Sequence, residues 1–173
     1  NPSKYTSVQY FQVATKALPL DQVRSVLPNG EGCWDTASVM SSFRLDADNR
    51  LIIGGIGNLG HSGSKIHTNW ARRKVERLFP QLKNIAIEYS WHGRIAMTGD
   101  HIPKIIKLGN NAYSVFGYSG RGIGPGTYFG KAVSDCLVRG DESFLPVNSL
   151  DNYQEPLSSF KGGLIEFGAT VSH

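Results

Sequence analysis

Hydrophobic residues alternate with polar ones along several stretches of the chain, and this alternation is typical of strands. Stretches rich in β-branched and aromatic residues predict strands at 6–17, 33–45, 50–56, 85–97, 102–108 and 112–118. Apolar residues at helical spacing predict helices at 20–27, 64–79 and 124–139. Short polar turns at 46–49 and 109–111 join neighbouring strands into hairpins. The pattern therefore predicts an α+β fold with a largely antiparallel sheet and a few helices on one side.

The residues beyond Gly140 follow neither period. Pro146, Pro156 and the Gly162-Gly163 pair interrupt this part of the sequence. We therefore expect an extended C-terminal tail over 141–173.

A glycine-rich stretch at 113–131 has the most informative sequence, YSVFGYSGRGIGPGTYFGK. It predicts a strand, a tight turn and the start of a helix. Backbone amides without side chains over them, beside a helix N-terminus, attract electron-rich or anionic groups. The stretch is neither a dinucleotide-binding GxGxxG followed by an acid nor a phosphate-binding Walker loop. On these residues alone, it predicts contact with an anion or a cofactor, and a plain strand-to-helix turn is the alternative.

Basic residues give the chain a net charge of +4. Many of them lie in the predicted helix 64–79, away from its apolar face, so a solvated helix surface is expected. Aromatic residues do not alternate with the basic ones as a base-stacking surface requires, so nucleic-acid binding is not expected. No apolar stretch reaches the roughly 18 residues of a membrane span.

Metal binding and hydrolysis are also disfavoured. Cys33 and Cys136, like His61 and His67, lack metal-ligand spacing, so no metal is expected. The low cysteine content is compatible with a reducing compartment, and we expect a cytoplasmic protein. Ser119 partly matches a nucleophile elbow, but no ordered acid and histidine follow it.

Three motifs, in order, resemble the FAD-dependent amine and amino-acid oxidoreductases of the D-amino-acid oxidase, glycine oxidase and sarcosine oxidase superfamily. Gly117–Gly126 resembles the last flavin-contacting segment of this family. Trp91–Pro103 resembles its W-x-G…T-x-D…P strand, and Phe43–Gly55 resembles a hairpin of its substrate domain. The resemblance covers about residues 5–147.

The resemblance implies an enzyme that oxidises an amine by hydride transfer to FAD. It divides the chain into substrate-domain sheet and helices at 1–108, a flavin-contacting strand-turn-helix at 109–140, and the tail at 141–173. It implies substrate contacts from Trp91, Ile95 and Arg44, and assigns no catalytic residue. The flavin-contacting residues that it implies are Gly120, Arg121, Gly122, Ile123 and Gly124.

One departure from the family pattern bears on the substrate. Amino-acid oxidases of this family carry an arginine two residues after the glycine of W-x-G, where it binds the substrate carboxylate. Ile95 occupies that position here, and Arg94 is expected to point to the opposite face of the strand. Isoleucine cannot form a bidentate bond to a carboxylate. We therefore expect a substrate without a free α-carboxylate at that place, such as a polyamine or its γ-glutamyl derivative, near the γ-glutamylputrescine oxidase branch.

Two alternatives remain open. The first is the same family acting on a D-amino acid, glycine or sarcosine, with Arg94 or Arg44 binding the carboxylate. The second is a non-catalytic module that pairs with a separate flavoprotein chain.

The family's N-terminal dinucleotide-binding motif has no counterpart in the sequence. We therefore expect the C-terminal part of a longer flavoenzyme, without its N-terminal FAD-binding domain. Such a fragment is expected to lack FAD and to be inactive alone. Its final strand-turn-helix is expected to expose an apolar surface through which it could self-associate.

Overall fold

The structure is a computed structural model that describes residues 3–37, 39–61 and 63–173. Within these ranges it contains eight strands and four α-helices. The strands are β1 (Thr6–Ala17), β2 (Cys33–Trp34), β3 (Ser42–Leu45), β4 (Arg50–Ile56), β5 (Ile87–Met97), β6 (Lys104–Gly109), β7 (Ala112–Phe116) and β8 (Ser149–Leu150). The helices are α1 (Leu20–Val26), α2 (Ser64–Leu78), α3 (Ile123–Arg139) and α4 (Ser158–Ser172). Two short 3-10 turns lie at Pro80–Leu82 and Glu142–Phe144. The predicted α+β fold is confirmed.

The chain divides into two compact units. The sheet unit comprises residues 9–94 and 164–173, and the glycine-loop unit comprises residues 3–8 and 95–163. A five-stranded sheet has the order β2-β3-β4-β1-β5, and its β2–β3, β3–β4 and β4–β1 pairs are antiparallel. A three-stranded sheet has the order β7-β6-β8, with β6 antiparallel to β7 and parallel to β8. The functional division at 1–108, 109–140 and 141–173 stays a prediction, because the units reflect backbone contacts and not function.

One face of the five-stranded sheet forms the core of the sheet unit. Cys33, Phe43, Ile53 and Val13 are paired across four strands, so their side chains share this face. They pack with apolar residues of α1 and α2, and Phe11, Val13 and Ile53 are at most 1% exposed. Trp70 of α2 lies so close to the sheet that a Cβ on Gly55 would be 2.9 Å from its ring. Because Gly55 has no side chain, helix α2 can pack directly on the sheet at this position.

The opposite face carries the alternate residues of the same strands. Trp34, Ser42, Gly54 and Gln12 are paired in the next row. The Tyr10 ring extends across Gly54, where an added Cβ would lie 2.8 Å from Tyr10 Cε1. Tyr10 and Ser42 share a hydroxyl hydrogen bond of 2.7 Å. This face is thus more polar than the face that packs on the helices.

The predicted strand at 33–45 is wrong, because the structure has separate strands at Cys33–Trp34 and Ser42–Leu45; Ser38, between them, lies outside the described residues. Asp35 bonds to residues between these strands: its Oδ1 accepts the backbone N–H groups of Ala37 and Ser41, and its Oδ2 accepts the Ser41 hydroxyl. The backbone N–H of Asp35 also donates to the carbonyl of Ser41. Backbone N–H groups that bond to the carboxylate of Asp35 are not available for the hydrogen bonds of a sheet.

The extended tail predicted at 141–173 is also wrong for residues 158–172, which form helix α4. Gly162 does not end this helix. A Cβ there would lie 2.9 Å from the carbonyl oxygen of Ser7, so glycine allows the helix backbone to approach a neighbouring segment. A glycine inside a helix can mark close packing as well as a break.

Asp35 also forms an ion pair with Lys74, a residue of α2. The Lys74 side chain is 8% exposed and the Asp35 side chain 24% exposed. Burial alone would raise the pKa of Asp35, but bonds from Lys74, Ser41 and the backbone outweigh it and hold that pKa well below its usual value. The ammonium of Lys74 therefore depends on this carboxylate for its charge compensation.

We expect Asp35→Asn to lower the free energy of unfolding by about 2 kcal/mol, because Lys74 then loses its charged acceptor while still mostly buried. Because the folded-state pKa of Asp35 is lowered, the stabilisation is present above pH ~4 and is lost as the pH falls further. Urea unfolding at neutral pH and at pH 3 measures both effects. The control is Asp48→Asn, whose 71%-exposed side chain pairs with Arg50 at the surface and should cost less than ~0.5 kcal/mol. Equal losses for the two variants would contradict the assignment.

Candidate functional site

The glycine-rich stretch folds as the sequence predicts, into a strand, a turn and a helix. Strand β7 ends at Phe116, and α3 begins at Ile123. The backbone adopts positive φ at Gly117 (81°), Ser119 (53°) and Gly120 (84°). Glycine adopts such angles without strain, whereas a side chain makes them costly. The requirement for glycine therefore falls on Gly117 and Gly120, because Gly122 has a φ of −81°.

The N-terminus of α3 presents bare backbone donors. Gly122 is the N-cap residue, and the first turn contains no acidic residue. Among the described residues, no side chain caps the helix. Among the first three helical residues, Ile123 and Gly124 carry N–H groups that have no acceptor within the helix, and Pro125 has none to offer. Residues 120–125 are exposed, and nothing lies within 4 Å of where a Cβ on Gly124 would be. This end of α3 can therefore accept an electron-rich group at close range.

The loop is fixed to the end of β5 through Thr98. The backbone N–H of Ser119 donates to Ala96 O at 3.2 Å, and the Ser119 hydroxyl donates to Gly117 O at 3.1 Å. The Thr98 N–H points to that hydroxyl at 3.4 Å. Thr98 is 1% exposed, and a Cβ on Gly117 would lie 2.5 Å from its methyl group. Ser119 thus anchors the turn to the end of β5. The sequence did not predict this role, although Thr98 and Ser119 both lie in the family motifs.

Ile95 lies beside this loop. A Cβ on Gly120 would be 3.5 Å from Ile95 Cδ1, so the isoleucine side chain reaches the glycine turn. Arg94 is exposed. The structure therefore brings together Ile95 and Gly120, two of the residues implicated from the sequence. Arg121 is exposed in the same turn, whereas Trp91 and Arg44 belong to the sheet unit.

Helix α3 leaves apolar residues uncovered. Ile123 is 94% exposed, Val138 is 83% exposed and Tyr128 is 61% exposed. Apolar side chains at this exposure are typical of a surface that meets another apolar surface.

A histidine cluster in the sheet unit was not predicted. His67 is fully buried, with Nε2 3.1 Å from Glu166 Oε1 and Nδ1 2.8 Å from His173 Nδ1. Glu166 Oε1 also accepts the Asn58 N–H at 3.0 Å. Burial, and then the charge of a protonated His67, lower the pKa of His173 to about 4. These contacts hold the end of α4 on the sheet unit, and sequence spacing carries no signal for them.

Two negative findings apply to the part of the chain that the structure describes. No group of three or more His, Cys, Asp or Glu side chains there is arranged to hold a metal ion. None of the helices there is both long enough and apolar enough to cross a bilayer.

The contact between Gly117 and Thr98 leads to a stability prediction. Gly117→Ala should lower the free energy of unfolding by about 3 kcal/mol, because the new methyl meets Thr98 and the backbone has positive φ. Gly130→Ala is the control: it lies inside α3 with nothing within 4 Å of the new methyl, so it should stabilise by ~0.5–1 kcal/mol. Chemical denaturation measures both. A loss below about 1 kcal/mol for Gly117→Ala would refute the close contact.

Comparison with known proteins shows to which family the chain belongs. The DAO family model, described as FAD dependent oxidoreductase, matches residues 3–136. A probable oxidoreductase OrdL of Haemophilus influenzae is 32% identical over 139 residues, which cover 80% of this chain and 31% of that protein. The gamma-glutamylputrescine oxidoreductase of Escherichia coli is 32% identical over 145 residues, covering 83% and 34%. The chain thus spans about a third of the length of these curated relatives.

Two solved structures share the fold. The L-proline dehydrogenase from P. horikoshii has a TM-score of 0.63 at 20% identity, covering 83% of this chain and 38% of that one. A thermally stable mutant of fructosyl peptide oxidase has a TM-score of 0.62 at 12% identity, covering 92% and 44%. At these identities the likeness concerns the fold alone. Because the family model matches most of the sequence, the chain belongs to the DAO family of FAD-dependent oxidoreductases.

Proposed function

We propose that the protein containing this chain oxidises an amine of the polyamine or γ-glutamyl-polyamine type, with FAD as the hydride acceptor. The observation that carries the proposal is the position of Ile95 beside Gly120. The proposal is further supported by the similarity to a protein named gamma-glutamylputrescine oxidoreductase. The division into a substrate-binding part at 1–108 and a flavin-contacting part at 109–140 belongs to the same proposal.

The glycine turn fits one edge of a flavin. A bound flavin would supply the oxidising chemistry as the hydride acceptor, and its pyrimidine side would be negatively charged once reduced. The N–H groups of Ile123 and Gly124 can donate to such charge, and the absence of an acid from the first turn of α3 avoids repulsion. Because Gly120, Gly122 and Gly124 have no side chains, a flavin can approach their backbone closely. We assign flavin contact to these residues together with Arg121.

The protein's remaining task near this turn is to place the substrate and exclude water. Ile95 offers methyl groups there and no hydrogen-bond donor. A carboxylate at this position would lose water without gaining a partner, which costs several kcal/mol. A neutral amine on a carbon chain carries no such penalty, so Ile95 favours amines over α-amino acids.

The alternative substrate class, a D-amino acid, glycine or sarcosine, requires a guanidinium for the carboxylate. Arg44 keeps this alternative open because it lines a cleft in the sheet unit. Arg94 is exposed, as Arg44 is, and lies next to Ile95 on the same strand. The exposed apolar residues of α3 fit contact with a flavin-binding domain or with a second copy of the chain.

The substrate preference is tested by steady-state kinetics of the complete gene product. We expect kcat/KM for putrescine or γ-glutamylputrescine to exceed that for sarcosine and D-amino acids by at least about a hundredfold. Ile95→Arg should narrow this gap by adding a carboxylate partner, while Ile95→Leu, the matched control, should preserve it. If a free amino acid is the best substrate and Arg94→Ala abolishes its oxidation, the carboxylate-binding alternative replaces the proposal.

Flavin contact is tested separately with Gly122→Val. The fold should tolerate it, because φ is negative and the new Cβ would be 3.6 Å from the nearest atom, Tyr118 Cβ. The added methyl groups should hinder approach of the flavin, so we expect flavin content, read from visible absorbance of the purified protein, to fall at least about tenfold. Gly130→Val, in the middle of α3, should retain flavin. Normal flavin content and turnover in Gly122→Val would exclude this turn from the site.

A further inference from the structure

A cleft of about 230 Å³ lies on the polar face of the five-stranded sheet, within the sheet unit. The strand register explains its composition. Trp34, Ser42 and Gln12 stand in one row of this face, and Arg44 and Ile52 stand opposite each other in the adjacent row. Gly32, Cys33 and Phe43 also line the cleft. The cleft is therefore a product of the pleat and lies on the face that α2 leaves uncovered.

The walls of the cleft are mainly apolar, and Arg44 adds a positively charged side chain to the lining. Ile52 is 6% exposed and Trp34 is 69% exposed, and both residues line the cleft. The charge is that of the Arg44 guanidinium, and the Gln12 carboxamide lies in the same lining. The Ser42 hydroxyl is already bonded to Tyr10. A ligand for this lining needs an apolar part beside an anionic group.

Arg44 and Arg50 differ in a way that bears on the role of Arg44. Arg50, on the neighbouring strand, is paired with three carboxylates, those of Asp46, Asp48 and Glu88. Across the described ranges, Arg44 has no such pair. A guanidinium is shaped to bind a carboxylate through two parallel hydrogen bonds. Within the described ranges, no carboxylate therefore competes with a ligand for the Arg44 guanidinium.

The size of the cleft limits the ligand further. Sites for whole drug-sized molecules usually measure about 300–1,000 Å³. A cleft of about 230 Å³ accommodates a short aliphatic segment with its terminal group. The neighbouring Trp34 ring can cover methylene groups, since aromatic faces pack well against aliphatic chains.

We propose that this cleft is a binding site for a carboxylate on a short aliphatic chain. Arg44 binds the carboxylate, Gln12 donates an amide hydrogen to it, and Ile52 and Trp34 pack against the adjoining methylene groups. The carboxylate has two chemical sources: the amine substrate, or a separate carboxylate ligand. The first source rests on the proposed function, whereas the binding site itself does not.

Calorimetric titration of the complete gene product with glutarate tests the site. Glutarate has a carboxylate at each end of three methylene groups, and its diamide, glutaramide, has the same shape without the charges. We expect Arg44→Gln to weaken glutarate binding at least tenfold, Arg44→Lys to retain part of it, and glutaramide to bind wild-type protein no better than it binds Arg44→Gln. Arg77→Gln, an exposed arginine on α2, is the matched control for loss of one charge and should bind glutarate like the wild type.

The proposal is overturned if the wild type does not bind glutarate, or if Arg44→Gln binds it as tightly as Arg77→Gln does. Thermal melting of each variant ensures that weak binding does not reflect unfolding. Arg44→Lys provides the second check, because its charge is kept while the planar fork is lost.

Kinetics distinguish the two sources. If the carboxylate belongs to the substrate, glutarate competes with the amine, and Arg44→Gln raises KM for γ-glutamylputrescine but not for putrescine. If it belongs to a separate ligand, glutarate does not compete, and Arg44→Gln leaves both KM values unchanged. Both results support the site. A protein that oxidises no amine yet binds glutarate through Arg44 would refute the proposed function and leave the cleft assignment standing.

Discussion

The pleat of the five-stranded sheet is the constraint on which the sheet unit depends. Successive residues of a strand point to opposite faces, so one row of paired residues packs on helices while the next faces away. Phe43 and Ile53 thereby join the core, and their neighbours Ser42, Arg44 and Ile52 are placed on the other face. A slip of one residue in register would exchange the two sets. The same register thus maintains the core and assembles the cleft.

Glycines have two different tasks in this molecule. Gly55 lets the Trp70 ring meet the sheet, and Gly54 lets the Tyr10 ring cross its other face. Gly117 and Gly120 instead allow positive φ in the turn before α3. The first task concerns packing and the second concerns backbone direction. A substitution at either kind of position therefore fails for a different physical reason.

The sequence predicted the features that depend on local chemistry. The turn at 46–49 forms because Asp46 accepts the backbone N–H groups of Asp48 and Arg50, and the glycine turn forms where bare residues allow positive φ. Features that depend on distant partners were missed. Glu166 meets Asn58 and His67 across about a hundred residues, and Gly162 is needed because of Ser7. The loop closed by Asp35 was missed because its alternating residues also suit a strand. For the candidate site, the sequence indicated the glycine turn and Ile95, but not the anchoring role of Ser119.

The contacts of α4 bear on the order in which the chain can fold. Residues 164–173 belong to the same compact unit as residues 9–94, and the His67 side chain lies within hydrogen-bond distance of Glu166 and His173. A ribosome delivers the chain from its N-terminus, so the sheet unit cannot be completed until residues 164–173 have emerged. Contacts of such high sequence separation also slow folding, because a long loop must close before they form. During synthesis, the backbone N–H of Asn58 therefore cannot bind the Glu166 carboxylate until more than a hundred further residues have been added.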